Sequence, residues 1–412
     1  MKVIIVGAGI GGLTTALALH HRGIEAQIFE SVGELRALGV GINLLPHSVR
    51  RLDEWGAMAA LLDFAIPTKE QVYFNKFGQK ICSQARGLDE GYRWPQLSVH
   101  RGELQLALLN MVRDRLGPQS VMTRHHLQSF EQNSNGSVTA HFSDLQTGER
   151  VASATGDVLV GADGIHSAVR KCLYPDEGPA KWNGGLMFRG VTESDPFLTG
   201  QSIVALGGVQ TFLAYPISKI HLERGRSLTN WVARYYIDTA NGFEQEDWNR
   251  RADREKLLAT YSGWKTDWLD IPRLIAEADK VYEYPMVDRD PLERWTFGRV
   301  TLLGDAAHPM YPLGSNGASQ AILDSYSLSA SLADHDDLDE ALNAYEQDRR
   351  PKTSRVVMAN RSGGPEVVIR ITESRAPTGF QHIDEVLPKS ELDQILEAYR
   401  KAASFDLETV NG

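Results

Sequence analysis

"KVIIVGAGIGGLTTALALHHRGIEAQIFE", Lys2 to Glu30, decides the fold. The apolar run Val3–Val6 has the length of a buried strand, and it stops at Gly7-x-Gly9-x-x-Gly12, beyond which apolar residues recur at helical spacing. Ala26-Gln27-Ile28-Phe29 resumes a strand that ends on Glu30. Strand, glycine turn, helix and strand in this order predict a βαβ unit that binds a dinucleotide. Gly7 makes the tight turn, Gly9 lets backbone approach a pyrophosphate, and Gly12 lets the helix lie close to the strand. The N–H groups that open the helix, with its dipole, favour an anion there. Glu30 lies 18 residues after Gly12, where a carboxylate can accept from both hydroxyls of an adenosine ribose. His20 and His21, next to Gly23, read as a helix C-terminal cap.

The rest of the chain is that of a globular enzyme. Its 412 residues suit two or three domains, and 42% hydrophobic with 23% charged residues excludes a disordered or fibrous chain. A net charge of −10 lacks the basic footprint that nucleic acid or anionic lipid needs. Cys82 and Cys172 are too far apart for a redox pair or a cysteine zinc site, and two thiols suit a reducing cytoplasm. Gly7, Gly9, Gly11 and Gly12 interrupt the first apolar run, which argues against a secretory signal, and no stretch is long enough for a membrane span. The histidines lack zinc spacing, and the acidic run 334–340 lacks the glycine and terminal glutamate of a calcium loop, so no metal is expected. Acidic residues opening a helix explain that run better.

Outward from the first unit, "GVGINLLPHSVRRLDEWG" places Gly39 and Gly41 before a short helix, residues 71–81 alternate like a hairpin around Phe77-Gly78, and a helix starts near Arg101. "DVLVGADGIHSAVR" gives a buried strand, an Asp163-Gly164 turn and another helix. Between 184 and 285 the segments "GLMFRGV", "SIVALGG", "TFLAYPIS" and "TNWVARYYI" read as successive strands of a separate sheet. The nucleotide unit resumes at "GRVTLLGDAAHPMYPLGSNGASQAI". There a buried strand ends at Asp305, the carboxyl end where ligands lie in an open α/β sheet, and the chain loops through Gly314 and Gly317 into a helix. Asp305 can hold a polyhydroxy chain, while Gly314 to Ala318 can aim N–H groups at a second part of the same ligand.

The Gly7–Gly12 loop with Glu30, the central "GADGIHSAVR" and "GDAAHPMYP", in this order, resemble the FAD-dependent aromatic hydroxylases, which are single-component flavoprotein monooxygenases, over most of the chain. "GSNGASQAI" and "RAPTGFQHIDEV" look closer to the phenazine-hydroxylating branch than to the salicylate-hydroxylating one. The resemblance implies a Rossmann-like FAD-binding domain of the glutathione-reductase type (1–70, 98–180 and 286–360), an inserted, mostly β substrate domain (71–97 and 181–285), and a C-terminal helical segment (361–412). It implies non-covalent FAD held at Gly7, Ala8, Gly9, Ile10, Gly11 and Gly12, with Glu30 and Ser31 at the adenosine ribose and the Leu127 backbone at adenine. Arg101 and Gln105 then reach the phosphate and ribityl region, Asp305 the ribityl hydroxyls, and Gly41, Pro312, Gly314, Gly317 and Ala318 line the flavin. Asp163-Gly164 is linked to both flavin and pyridine nucleotide. The second loop departs from the family's usual Gly-Gln-Gly-Asn. Arg101 read without the resemblance is equally a solvated surface arginine.

The resemblance further implies NADH or NADPH as a transient co-substrate, since the chain has a single GxGxxG, and molecular oxygen activated as a flavin C4a-hydroperoxide. The expected reaction is hydroxylation, with or without decarboxylation, of an aromatic or phenazine-like carboxylate or phenol, by a cytoplasmic monomer or homodimer. Met187, Arg189, Tyr215, His308 and Pro309 are candidate pocket contacts. Arg189 can pair with a substrate carboxylate or with a structural acid, and His308 can shape backbone or take part in catalysis. A flavin oxidase or dehydrogenase, and a non-enzymatic carrier of the prenyl-protein escort type, share the fold and remain alternatives. Flavin reduction by substrate alone identifies the first, and colourless protein the second.

Overall fold

In the computed structural model, which describes residues 1–37, 39–237, 252–264 and 266–412, the first apolar run is the central strand of a five-stranded sheet. Strand Lys2–Val6 pairs in parallel with Glu25–Phe29 on one side and Val158–Gly161 on the other, and Val121–Met122 and Val300–Leu302 form the edges. Ile4 and Ile5 are fully buried on opposite faces, which is why the strand reads as an unbroken apolar run instead of an alternation. Helix Ile10–His21 lies against helix Asn316–Asp334. Their seam is small and polar: the Thr14 and Thr15 hydroxyls each sit 2.9 Å from Ser325 Oγ.

The second region is a seven-stranded sheet, in the order Val281–Asp288, Lys181–Ser194, Ser227–Tyr236, Thr211–Pro216, Ser202–Gly207, Glu70–Asn75, Lys80–Ala85. Only the Ser202–Gly207 and Glu70–Asn75 pair is parallel. Helices Arg254–Tyr261 and Ile271–Glu277 bury Leu257, Tyr261, Ile271 and Leu274 against one face. Gly190 in "MFRGV" makes room for the fully buried Trp231, because a Cβ there would stand 2.3 Å from the indole. Residues 238–251 and 265, part of the 181–285 span, lie outside the described residues. A three-stranded sheet, Gly41–Leu44, Gln96–His100 and Ile66–Thr68, runs beside it.

The acidic run opens a helix: Asp337 caps Leu338–Arg361, accepting from the Asp339 and Glu340 amides at 2.8 and 3.0 Å. Beyond it, helices Val367–Arg375 and Lys389–Ala402 fold back onto the molecule, Tyr399 reaching the loop after Asp305. Among the described residues, no helix is long and apolar enough to cross a membrane.

Candidate functional site

The first glycine loop is fixed by its neighbours. Gly7 has φ +103°, and a Cβ on it would come within 2.6 Å of the Ala162 carbonyl oxygen; one on Gly12 would come within 1.9 Å of the Gly7 carbonyl. A Cβ on Gly9 would meet nothing within 4 Å. Two glycines therefore close the turn, and the third leaves a face open for a ligand beside the unpaired amides of the helix start. Glu30 lies under this loop, its Oε2 accepting from the Ala8 amide at 2.6 Å and its Oε1 from Ser31 Oγ and the Val32 amide at 3.0 and 2.9 Å. Gln105 on helix Arg101–Leu116 donates to the Ala8 carbonyl at 2.8 Å. Arg101 is exposed at the start of that helix, and Leu127 is buried in the strand His126–Gln132.

At the far end of the sheet, the strand Val300–Leu302 runs into a 3-10 turn, Gly304–Ala306, that points Asp305 outward. Asp305 keeps solvent contact, yet protein rings its carboxyl closely enough that burial pushes it above the ordinary carboxylate value, against the pull of His308 and Arg101. The loop after it ends in Ser315 at φ +60°, and helix Asn316–Asp334 begins. Tyr399 holds this turn from below, accepting from Asn316 Nδ2 at 2.9 Å and donating to Asn360 Oδ1 at 2.8 Å. A Cβ on Gly314 would stand 2.0 Å from the Tyr399 hydroxyl, whereas one on Gly317 would meet nothing within 4 Å.

The face of the large sheet opposite its helices closes a cleft of about 200 Å³, partly open to solvent. Met187, Arg189, Tyr215, Val232 and Arg234 line one side, and Asp305, Pro312 and Gly314 to Ala318 the other. Arg189 Nη2 and Tyr215 Oη both donate to the Gly41 carbonyl, at 2.7 and 2.8 Å, while the Gly41 amide donates to Asn230 Oδ1 at 2.7 Å. A Cβ on Gly41 would lie 2.5 Å from Ile217 and 2.7 Å from Asn230, so this glycine is needed for packing on the sheet as well as for any ligand. Among the described residues, Arg189 Nε has no hydrogen-bond partner and no carboxylate lies within ion-pair distance of Arg189. Burial lowers its guanidinium from the ordinary value, with Tyr215 and Tyr284 pulling the other way.

Met187, Arg189 and Tyr215 thus share the cleft with Asp305, but His308 and Pro309 do not line it. The 3-10 turn directs His308 inward, where its Nε2 meets Asp324 Oδ2 at 2.6 Å and its ring lies 5.4 Å from that of Trp295. Asp324 also accepts from Arg349 Nε at 2.8 Å and from the Gly304 amide at 3.0 Å. Burial pushes Asp324 up, and His308 and Arg349 more than offset it, leaving the carboxyl below its ordinary value. His308 is therefore a buried positioning group under the loop, and Met310 takes its place on the cleft.

Asp163 sits at the N-terminus of helix Ala168–Leu173, accepting from Ser167 Oγ at 2.5 Å and from the Ala168 and Val169 amides at 2.7 and 3.2 Å. Gly164 takes φ +79°. The same motif supplies a residue that sequence reasoning missed. Arg170, 2% exposed, donates to the Ala306 and Ala307 carbonyls at 2.9 and 3.1 Å and pairs with Glu177, clamping the central motif to the Asp305 turn. Asp324, Tyr399, Arg234 and Glu366 were also missed.

The family described as FAD binding domain matches residues 1–360. A phenazine 1,6-dicarboxylic acid hydroxylase, PhzS, from Lysobacter antibioticus is 46% identical over 366 residues, 87% of this chain and 89% of the relative. A 3-amino-4-hydroxybenzoate 2-monooxygenase, PtnB3, from Streptomyces platensis is 31% identical over 377 residues, 89% of this chain and 88% of the relative. Klebsiella pneumoniae HpxO, solved with FAD and uric acid, superposes with a TM-score of 0.74 at 26% identity, covering 100% of this chain and 96% of that one.

Proposed function

We propose, from the premise that this chain belongs to the FAD-binding-domain family and is an FAD-dependent aromatic monooxygenase, that its substrate is a phenazine-type aromatic carboxylate anchored at Arg189. Arg189 itself carries this reading. It is a largely enclosed cation on the cleft wall, held by a neutral carbonyl, and among the described residues its Nε has no partner and no acid stands beside it. Enclosing an unpaired charge costs several kcal/mol, which a substrate carboxylate on the guanidinium fork would offset.

FAD fits the residues present. The open side of Gly9 and the amides that open the helix Ile10–His21 suit the pyrophosphate, and the open side of Gly317 leaves room for a flat ring over the second helix start. In this reading Glu30 and Ser31 hold the adenosine ribose, the Leu127 backbone meets adenine, and Arg101, Gln105 and Asp305 take the phosphate and ribityl chain. Gly41, Pro312, Gly314, Gly317 and Ala318 border the ring, and Asp163-Gly164 supports the loop between flavin and nicotinamide. Bound FAD supplies the redox and dioxygen chemistry, with the balance Ar–H + O₂ + NAD(P)H + H⁺ → Ar–OH + H₂O + NAD(P)⁺. The protein's share is positional. Arg189 sets which edge of the substrate faces the cofactor, Met187, Leu213 and Val232 form an apolar wall that excludes water, and the Asn316–Asp334 helix start stabilises negative charge beside it.

The same reading divides the chain into an FAD domain (1–70, 98–180 and 286–360), a sheet domain (71–97 and 181–285) and a C-terminal segment, as a cytoplasmic monomer or homodimer. The free thiols Cys82 and Cys172 agree with a reducing compartment. The test is to add phenazine-1-carboxylate to the yellow, FAD-loaded protein and follow NAD(P)H oxidation, identifying products by mass. Stimulated oxidation with a hydroxylated product is expected, and Arg189→Met should raise the substrate KM about tenfold or more. An unchanged KM in that variant removes the anchoring role.

A further inference from the structure

Two thioethers line the cleft, one on each side. Met187 stands opposite Arg234, and Arg189 opposite Val232, across the antiparallel strands Lys181–Ser194 and Ser227–Tyr236, so the four side chains share the sheet face that looks into the cleft. Met187 is 7% exposed and packs in a cluster with Val232, Tyr311 and Leu313, the last two flanking Pro312 on the loop assigned to the flavin ring. Met310 comes from the other side. It follows Asp305 on that loop, half-buried against the cluster that contains Leu45 and Tyr399, and lines the same cleft.

An oxygen atom made electrophilic enough for transfer to an aromatic ring is equally suited to a thioether, whose polarizable sulfur carries an available lone pair. Among the described residues, no other group on the wall competes well. Arg189 and Arg234 are cations, and Arg234 is engaged besides, pairing with Glu366 at 3.8 Å and donating to Thr211 Oγ1 at 2.9 Å. The carboxyl of Asp305 and the amides of Asn43 and Gln71 do not take up oxygen. Tyr215 is the remaining electron-rich group. Burial pushes its phenol up to about 12, so it stays neutral with its O–H on the Gly41 carbonyl, a poorer acceptor of oxygen than a phenolate.

Resting on the reading that the flavin ring lies over Gly317 beside this cleft, we propose that Met187 and Met310 are modification sites of the enzyme's own making: when no aromatic substrate fills the cleft, they accept the oxygen atom and become methionine sulfoxide. The balance is R–S–CH₃ + O₂ + NAD(P)H + H⁺ → R–S(O)–CH₃ + H₂O + NAD(P)⁺. The O–O bond breaks, the sulfur lone pair forms the new S–O bond and sulfur is oxidised, and the hydride and the proton leave with the other oxygen as water. Substrate in the cleft protects both residues, because it covers the sulfur and takes the oxygen itself. A sulfoxide is polar and chiral, and at Met187 it would interrupt the apolar strip with Leu213 and Val232 that the substrate ring covers. Turnover without substrate therefore weakens the substrate site, and sulfoxide reductases restore it.

The molecule carries its own controls. Of its eight methionines, Met358 is 51% exposed and Met286 is 1% exposed, and neither lines the cleft. Peroxide in solution attacks by exposure and takes Met358 first, whereas transfer inside the cleft takes Met187 and Met310 first. FAD-loaded wild type is given heavy-isotope dioxygen, NAD(P)H and catalase, without aromatic substrate, until each enzyme has consumed a fixed excess of NAD(P)H, and peptide mass spectrometry then reads labelled sulfoxide at every methionine. Label at Met187 or Met310 ahead of Met358 is expected, undiminished by catalase and lowered several-fold by phenazine-1-carboxylate. The rate with phenazine-1-carboxylate should fall as label accumulates and return after treatment with methionine sulfoxide reductases. The double variant Met187→Leu, Met310→Leu, measured against its own starting rate, should fall less. Label at Met358 first, at neither cleft methionine, or only when catalase is left out overturns the inference and leaves the flavin reading standing. Protein that retains no FAD, or consumes no NAD(P)H even with phenazine-1-carboxylate present, overturns that reading and this inference with it.

Discussion

The two glycine loops face similar tasks and are held in opposite ways. Gly7 and Gly12 are fixed by backbone at the ends of adjoining strands, and side chains, those of Glu30 and Gln105, bond the loop at Ala8 between them. Gly314 is fixed by the hydroxyl of Tyr399, from a helix 85 residues further on, within a web of Asn316, Asn360 and Gln320 side chains. The first loop is rigid because the fold is rigid. The second depends on a few long-range hydrogen bonds, so its shape can be weakened without disturbing the sheet.

Four substitutions probe that contrast. The largest effect belongs to Gly12→Ala, which forces a methyl into the Gly7 carbonyl and should cost about 3 kcal/mol of stability, seen in urea unfolding of the apoprotein; wild-type stability would show that the first loop yields. Asp305→Ala should leave the fold intact and weaken FAD binding by roughly ten- to a hundredfold, because a charge-assisted hydrogen bond is worth about 1.5–3 kcal/mol. Full occupancy at submicromolar protein would remove Asp305 from the ribityl site.

Tyr399→Phe orphans Asn360 Oδ1 and should cost about 1–2 kcal/mol, with FAD lost from the ring end before the adenine end. Quenching of bound flavin fluorescence reports the ring end, and no change there would mean the loop stands without its prop. The smallest effect on stability is Gly317→Ala. With free space at its Cβ and a helical backbone, alanine should raise apoprotein stability by up to about 1 kcal/mol while releasing more hydrogen peroxide per NAD(P)H consumed. Stability and coupling that move together would contradict an open face reserved for the ring.

What the sequence made legible follows the same division. The βαβ unit was readable because each part is local: an unbroken apolar strand, three glycines at fixed spacing, and an acid at the end of the next strand. Asp305 was readable because strand ends are marked by glycine. His308 was misplaced on the cleft because proximity in sequence to Asp305 suggested proximity in function; its partner Asp324 lies on the next helix and leaves no local mark. Arg170 and Tyr399 act through contacts 136 and 83 residues distant, which no periodicity records. Arg234 did leave a signal, since in "NWVARYYI" a charge interrupts an apolar strand two residues from Val232 and must share its face. Glu366 left only "GGPE", which resembles any turn.

The Tyr399 prop also sets a clock. The Gly7–Gly12 loop and Glu30 leave the ribosome well ahead of Tyr399, which is made about 370 residues later, and at about 5–20 residues per second that interval is roughly 20–70 s. The sheet itself waits for its edge strand, Val300–Leu302, over most of that time. A nascent chain can therefore present an adenine-binding half-site long before it has a place for the flavin ring, and stable capture of the cofactor waits until Tyr399 has been made and has folded back.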